Sequence, residues 1–255
     1  MEAKKVPGLH GWLWIKQGYA LFRKNPLLWM VLTAIGVVGL FGISTIPVLG
    51  DPLATLLFPV LLAGFMFGCH AITQGAELEL AHLFGGFRHN TQQLVALGGI
   101  NLISQLLIMG VMMASGGATL VAILMSGKPV EDPAVLTQAM AGAGLAVMLG
   151  VLLFSLLLMA LQFAPMLVIF NGMRAVPAMR TSLRAFLRNW LPFTVYAVAL
   201  LPIVFLASMP AMLGWLVLLP ILITSVYAIY QDVFSAPTVD VDAANDVASD
   251  EPSPF

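Results

Sequence analysis

Charge is absent from residues 27–46, and absent again from residues 53–72. Each run is 20 residues long. At about 1.5 Å of rise per residue, a helix of that length crosses a hydrocarbon layer of about 30 Å. The residues between the runs include Pro47, Gly50, Asp51 and Pro52, the composition of a tight turn. A third run starts near Leu94 and reads as a span to about Met113. Its apolar character continues past Gly116 and Gly117 to Met125, so the 114–140 region is left open between an extended span, a re-entrant piece and one lying at the outer surface. A fourth run covers residues 143–170 and is long enough to tilt or protrude. Residues 190–207 and 211–230 complete the set, turning at Ser208, Met209 and Pro210. The pattern predicts an all-α integral membrane protein with six transmembrane helices, arranged as three helical hairpins.

Polar positions between the spans follow a helical period. Trp12, Ile15, Tyr19 and Phe22 share one face, with Lys16 and Lys24 elsewhere. Leu80, Leu83, Phe84 and Phe87 do the same before the third span. Met179, Leu183, Phe186, Leu187 and Trp190 do so before the fifth, where Arg180, Arg184 and Arg188 recur at four-residue steps on another face. Each hairpin is therefore expected to follow a cytoplasmic amphipathic interfacial helix. Such helices lay an apolar face against the acyl boundary and turn Lys and Arg towards lipid phosphate. They serve either as topological anchors or in recognition of a lipid or partner.

A threefold repeat runs through these segments. Phe22-Arg23-Lys24-Asn25, Phe87-Arg88-His89-Asn90 and Phe186-Leu187-Arg188-Asn189 each precede a span, and the returning spans carry Pro59, Pro165 and Pro220 before an aliphatic run. The Phe-to-Pro separations are 37, 78 and 34 residues, so the middle unit holds an insertion. Units of about 8–75, 76–172 and 174–232 would be parallel repeats about an axis along the membrane normal. They make residues 1–230 one transmembrane domain.

Composition agrees with a membrane protein: 60% of the 255 residues are hydrophobic, 9% are charged, and mean hydropathy is +0.97. Charge sets the orientation. With six spans, ten of the eleven Lys and Arg residues fall on one side, and only Lys128 falls on the other. The positive-inside rule then places both termini in the cytoplasm. The stretch 231–255 carries Asp232, Asp240, Asp242, Asp246, Asp250 and Glu251 with no Lys or Arg, and reads as an acidic disordered cytoplasmic tail. Folding of that tail back onto the Arg180, Arg184 and Arg188 face is expected from charge.

Candidate chemistry is sparse. Asn101 and Gln105 stand one turn apart in the third span, and Gln162 lies at similar depth in the fourth. They form either interhelical hydrogen bonds or a polar spot in a substrate path. No Asp, Glu, Lys or Arg lies deep in any span. Cys69 is the sole cysteine, and neither a phosphate-binding glycine loop nor a metal-ligand spacing occurs, so no cofactor, metal site or catalytic residue is expected. Gly64 and Gly68, and Gly142, Ala146 and Gly150, are stripes of small residues that allow close helix packing, within the chain or between chains. Arg180, Arg184, Arg188, Arg23 and Lys24 are the expected contacts to anionic headgroups.

The segment from Gly18 to Pro26, then Ile46-Pro47-Val48-Leu49-Gly50, the stretch from Pro59 to Gly64 and the segment Ala81-His82-Leu83-Phe84-Gly85-Gly86-Phe87 resemble a family of uncharacterised proteobacterial six-span inner-membrane proteins. The resemblance implies a bacterial inner-membrane location and this topology, and assigns no activity. A weaker similarity joins the chain to the membrane domain of some glycerophosphodiester phosphodiesterases, whose catalytic domain has no counterpart here. The residues favour a non-enzymatic structural, regulatory or partner-binding role. The alternative is a small-molecule or lipid transporter using the polar spot between the third and fourth spans. Expected partners are membrane lipids and a candidate protein partner or second copy, not nucleic acid.

Overall fold

The computed structural model describes residues 3–126, 133–209 and 212–234. Its helices are α1 (His10–Lys24), α2 (Pro26–Ser44), α3 (Gly50–Thr73), α4 (Thr91–Met112), α5 (Ala118–Ser126), α6 (Pro133–Ala141), α7 (Gly144–Leu161), α8 (Ala164–Asn171), α9 (Ala175–Arg188), α10 (Trp190–Ser208) and α11 (Trp215–Phe234). A 3-10 segment occupies Leu80–Phe87. Six helices are long and apolar enough to cross a membrane: Pro26–Ser44, Gly50–Thr73, Thr91–Ile123, Gly144–Asn171, Trp190–Ser208 and Trp215–Phe234. No strand occurs among the described residues. The protein is a multi-pass, all-α integral membrane protein.

Local chemistry explains where the spans start and bend. Asn25 caps α2 by accepting the Leu28 N–H at 3.3 Å, and Pro26 opens the helix, where a missing N–H costs nothing. The third span bends after Met112, where Gly116 takes φ +100 and the Ser115 hydroxyl donates to the Val111 carbonyl at 2.8 Å. The chain stays helical beyond that bend, through α5. The last span runs four residues into the stretch assigned to the acidic tail, with Val233 and Phe234 buried. The rest of the expected tail, with Lys128 and the loop around it, lies outside the described residues.

Most of the core sits near the end of the bundle that carries the described basic residues. Trp29, Leu32, Met66, Cys69, Leu94, Leu97, Met166, Leu167 and Tyr227 are all buried there. Towards the opposite end, Val38, Phe41, Leu107, Leu201 and Phe205 are exposed. In lipid this carries no penalty, because acyl chains solvate leucine as well as another helix does.

The segments that precede spans pack against the protein. α1 lies along α11 and α10, the 3-10 segment lies on α3, and α9 lies on α7 and α8. Their protein-facing sides are rich in small residues, and much of each expected apolar face stays exposed, as contact with lipid requires. α1 buries Gly11, Trp14, Ile15, Gly18 and Phe22, whereas Trp12 and Tyr19 are exposed. α9 buries Ala175, Ala178, Ser182 and Ala185, and Phe186 stacks on Phe193 with ring centroids 3.8 Å apart. Close backbone approach decides these contacts, and glycine, alanine and serine allow it although they do not mark an apolar stripe. The second segment winds as a 3-10 turn rather than an α-helix. It buries Leu83 and Gly86 and leaves Leu80, Phe84 and Phe87 exposed.

Asn189 ties the N-terminal arm to this end. It is 1% exposed; its Oδ1 accepts the Val6 N–H at 2.9 Å, and its Nδ2 donates to the carbonyls of Lys4 at 2.9 Å and Ala185 at 3.1 Å. Asn189→Ala is expected to cost about 1–3 kcal/mol by leaving a buried N–H unpaired. Trypsin should then cut after Lys4 and Lys5 sooner than in the parent protein; equal cleavage rates would show the arm is held by other contacts.

Candidate functional site

Asn101 and Gln105 project from α4, and Gln162 follows the last residue of α7. All three line one cavity of about 300 Å³ whose remaining wall comes from α3, α7, α8 and α11. Gln105 Nε2 donates to Asn101 Oδ1 at 3.1 Å, the i,i+4 geometry expected on one helix face. Asn101 stands ten residues from the start of α4, about 15 Å along the axis. Asn101 and Gln105 thus both lie well inside the third apolar span, and Gln162 lies nine residues from the end of the fourth. They are brought together as a group, and the rest of the lining, including Phe58, Leu62, Leu158 and Ile223, is mostly apolar.

A break in the fourth span delivers Gln162 to the cavity. The sequence pattern reads one continuous helix over 143–170, but the chain forms α7 and α8 with Gln162 and Phe163 between them. Pro165 contributes the local cause, because it has no N–H and its ring clashes with the carbonyl four residues earlier. Ser182 of α9 supplies the remedy. Its Oγ accepts the Phe163 N–H at 3.1 Å and donates to the Met159 carbonyl at 2.7 Å. One hydroxyl therefore bridges the two groups that a regular helix would join directly. Irregular backbone at membrane depth persists only where protein or a cavity satisfies it, and here both adjoin the break.

This arrangement offers amide donors and acceptors without charge. The cavity lining includes no His, Cys, Asp, Glu, Lys or Arg. Among the described residues, no group of three His, Cys, Asp or Glu could hold a metal ion. The site is suited to bind an uncharged polar group beside an apolar body.

A second polar cluster joins α1, α3 and α11 at the basic end. The Tyr227 hydroxyl meets His70 Nδ1 at 3.0 Å, Thr73 Oγ1 at 3.3 Å and Gln231 Nε2 at 2.9 Å. Asp232 Oδ2 accepts the Trp14 indole N–H at 2.8 Å and meets His10 Nδ1 at 2.7 Å. A hollow of about 450 Å³ beside it is lined by Gln17, Lys24, Thr73, Gln231 and Asp232 among others. This cluster was not legible beforehand, because Asp232 sits at the edge of an acidic stretch. Tyr227 and Gln231, four residues apart on the last span, were the available signal.

The basic residues expected at headgroups are all exposed. Arg180, Arg184 and Arg188 lie on α9, whereas Arg23 and Lys24 end α1. Arg23 lies 5.8 Å from the Tyr19 ring centroid, and Lys24 Nζ donates to the Ile72 carbonyl at 3.3 Å. Both small-residue stripes are used within the chain: a Cβ on Gly64 or Gly68 would meet Leu83 or Leu78, and one on Gly150 would meet Met112.

Comparison with known proteins yields a family and a relative. The model of a domain of unknown function, DUF7847, matches residues 14–249. A probable inner membrane protein of Burkholderia thailandensis is 30% identical over 200 residues, covering 77% of this chain and 74% of its own length. No solved structure matches.

Proposed function

We propose, on the premise that this chain belongs to the DUF7847 family of unknown function, that it binds an uncharged small molecule or a lipid within the membrane, without chemical conversion, as a carrier or transporter would. The observation behind this reading is the cavity that Asn101, Gln105 and Gln162 line together beside the broken fourth span. Discontinuous spans that meet polar groups near mid-membrane are the usual construction of a membrane binding site. Three amides that served only to hold helices together would not require a hollow between them. The absence of charge from the lining disfavours an ion-coupled route.

The relative's printed name supports a bacterial inner membrane, and the charge bias supports a cytoplasmic side for both termini. On that orientation Arg23, Lys24, Arg180, Arg184 and Arg188 stand at the inner headgroup layer, where anionic lipid is their natural partner. The threefold repeat gains support from packing order. Each pre-span segment lies on the returning span before it, with α1 closing onto α11. The weaker resemblance to the membrane domain of glycerophosphodiester phosphodiesterases lends no activity to this reading. A protein-binding role keeps one supporting observation: Gly39 and Gly42 of α2 face open space, a surface on which another helix could lie closely.

The test is retention of co-purifying small molecules in nanodiscs, read by native mass spectrometry. Asn101→Leu combined with Gln162→Leu removes two hydrogen-bonding groups, and is expected to lower occupancy about 10–30-fold. An unchanged ligand profile in a folded double variant would sink the proposal.

A further inference from the structure

Gln162 lines the amide cavity with an unpaired side chain. Among the described residues neither its Oε1 nor its Nε2 meets a hydrogen-bond partner, and the residue is partly exposed. Asn101 and Gln105 use one acceptor and one donor on each other, which leaves Asn101 Nδ2 and Gln105 Oε1 open as well. Amides that hold two helices together bond across them, whereas the one bond made here lies within α4. Unpaired polar groups at membrane depth are unfavourable, so the open donors and acceptors restrict what fills the space. An ether or ester oxygen only accepts, and leaves the Gln105 and Gln162 carbonyls unpaired. A charged group finds no counter-charge in the lining. A hydroxyl donates once and accepts twice through a single atom, which suits a small cavity whose other lining is mostly apolar. Water does the same, but elsewhere it would stand against Phe58, Leu62, Leu158 and Ile223, where it has no partner.

We propose that the amide cavity is a site for a lipid alcohol, whose hydroxyl bonds Gln162 and the Asn101–Gln105 pair and whose hydrocarbon leaves past Phe58 and Leu158 into the bilayer. This rests on the reading above, that the cavity holds an uncharged small molecule or lipid, and names the ligand class. Phe58 and Leu158 are each 51% exposed, so part of the cavity wall faces acyl chains and no water path is needed. A volume of about 300 Å³ is at the small end for ligand sites. It takes the head and the first carbons of a chain, and the remainder lies among the surrounding lipid. Gln162 is the specificity-determining residue, because its amide has no other work in the fold.

The experiment uses the full chain in nanodiscs with a long-chain primary alcohol that carries a diazirine near its hydroxyl, and with the matched methyl ether. Irradiation, proteolysis and mass spectrometry then locate the adducts. The alcohol is expected to label residues 58–62 or 158–165, and to do so about fivefold more than the ether, the worth of one hydrogen bond. Gln162→Leu should bring alcohol labelling down to the level of the ether, while ether labelling and melting temperature stay at or above the parent's, since that side chain has no protein partner to lose. Equal labelling by alcohol and ether, with both lost in Asn101→Leu combined with Gln162→Leu, would overturn the hydroxyl and leave the amide cavity as a lipid site. A lower melting temperature in Gln162→Leu with unchanged labelling would overturn the ligand role of Gln162 and make it a helix-pairing residue. Labelling absent from these segments, in a protein whose co-purifying ligand is still released by the double variant, would overturn the lipid alcohol and leave the broader reading standing. Absence of both labelling and release would overturn both.

Discussion

Valine at Gly64 or Gly86 is expected to lower the melting temperature by about 6–12 °C, or to prevent folding. A Cβ at Gly64 would lie 2.1 Å from the Leu83 carbonyl oxygen, and one at Gly86 would lie 2.0 Å from the Val60 carbonyl oxygen. Both obstacles are backbone atoms, so no rotamer change relieves them. The two glycines face each other's elements across the contact between α3 and the 3-10 segment, and the pair must move apart together. That contact carries part of the main core, including Val60, Ala63, Met66 and Leu83. Overpacking costs about 1–3 kcal/mol for a methylene or two and more where backbone must move. Gly39→Val is the matched control, because a Cβ there meets nothing within 4 Å. Thermal unfolding in one detergent compares the three. Equal melting temperatures for Gly64→Val and Gly39→Val would mean that the 3-10 segment does not dock on α3.

Ser182→Ala should cost about 2–6 kcal/mol and release ligand as well. Its hydroxyl is shared between the Phe163 N–H and the Met159 carbonyl. Removing it leaves one buried donor and one acceptor unpaired at the break in the fourth span, each unfavourable by about 1–3 kcal/mol. The break positions Gln162, so its rearrangement alters the amide cavity as well as stability. Ser182→Thr keeps the hydroxyl and should retain most of both properties. Melting temperature and co-purifying ligand are measured together on the same samples. Parent-like values of both in Ser182→Ala would show that Pro165 alone maintains the break.

These two sites mark where linear pattern stopped being informative. Gly64 was legible as one of a stripe of small residues, but its partner, the Leu83 backbone, was not. Pro165 was legible as the proline that precedes an aliphatic run in each returning span, yet the span containing it read as continuous. Hydropathy averages over many residues and is blind to a two-residue break that keeps its apolar neighbours. Asn101, Gln105 and Gln162 could be matched by depth, because depth is residue count times helical rise. That they surround a hollow depends on α3 and α11, which no count from either helix could supply. The protein-facing sides of α1 and α9 escaped the sequence reading for a related reason. A helix that approaches another backbone closely does so through glycine, alanine and serine, and hydrophobicity gives those residues little weight.

By itself the sequence determined the number of spans, their approximate ends, the segregation of basic residues and the presence of three amides at one depth. Each of these is a sum over neighbouring residues: a transfer energy into lipid, a length, or a charge count. Only the tertiary structure decided that Ser182 bridges the fourth span, that the Thr33 hydroxyl is buried without a hydrogen-bond partner, and that Thr224 Oγ1 donates to the Gly18 carbonyl, 206 residues away, at 2.8 Å. The bilayer selects for apolar length and is indifferent to which helix faces meet. The choice among those faces falls to shape and hydrogen bonding between residues distant in the chain.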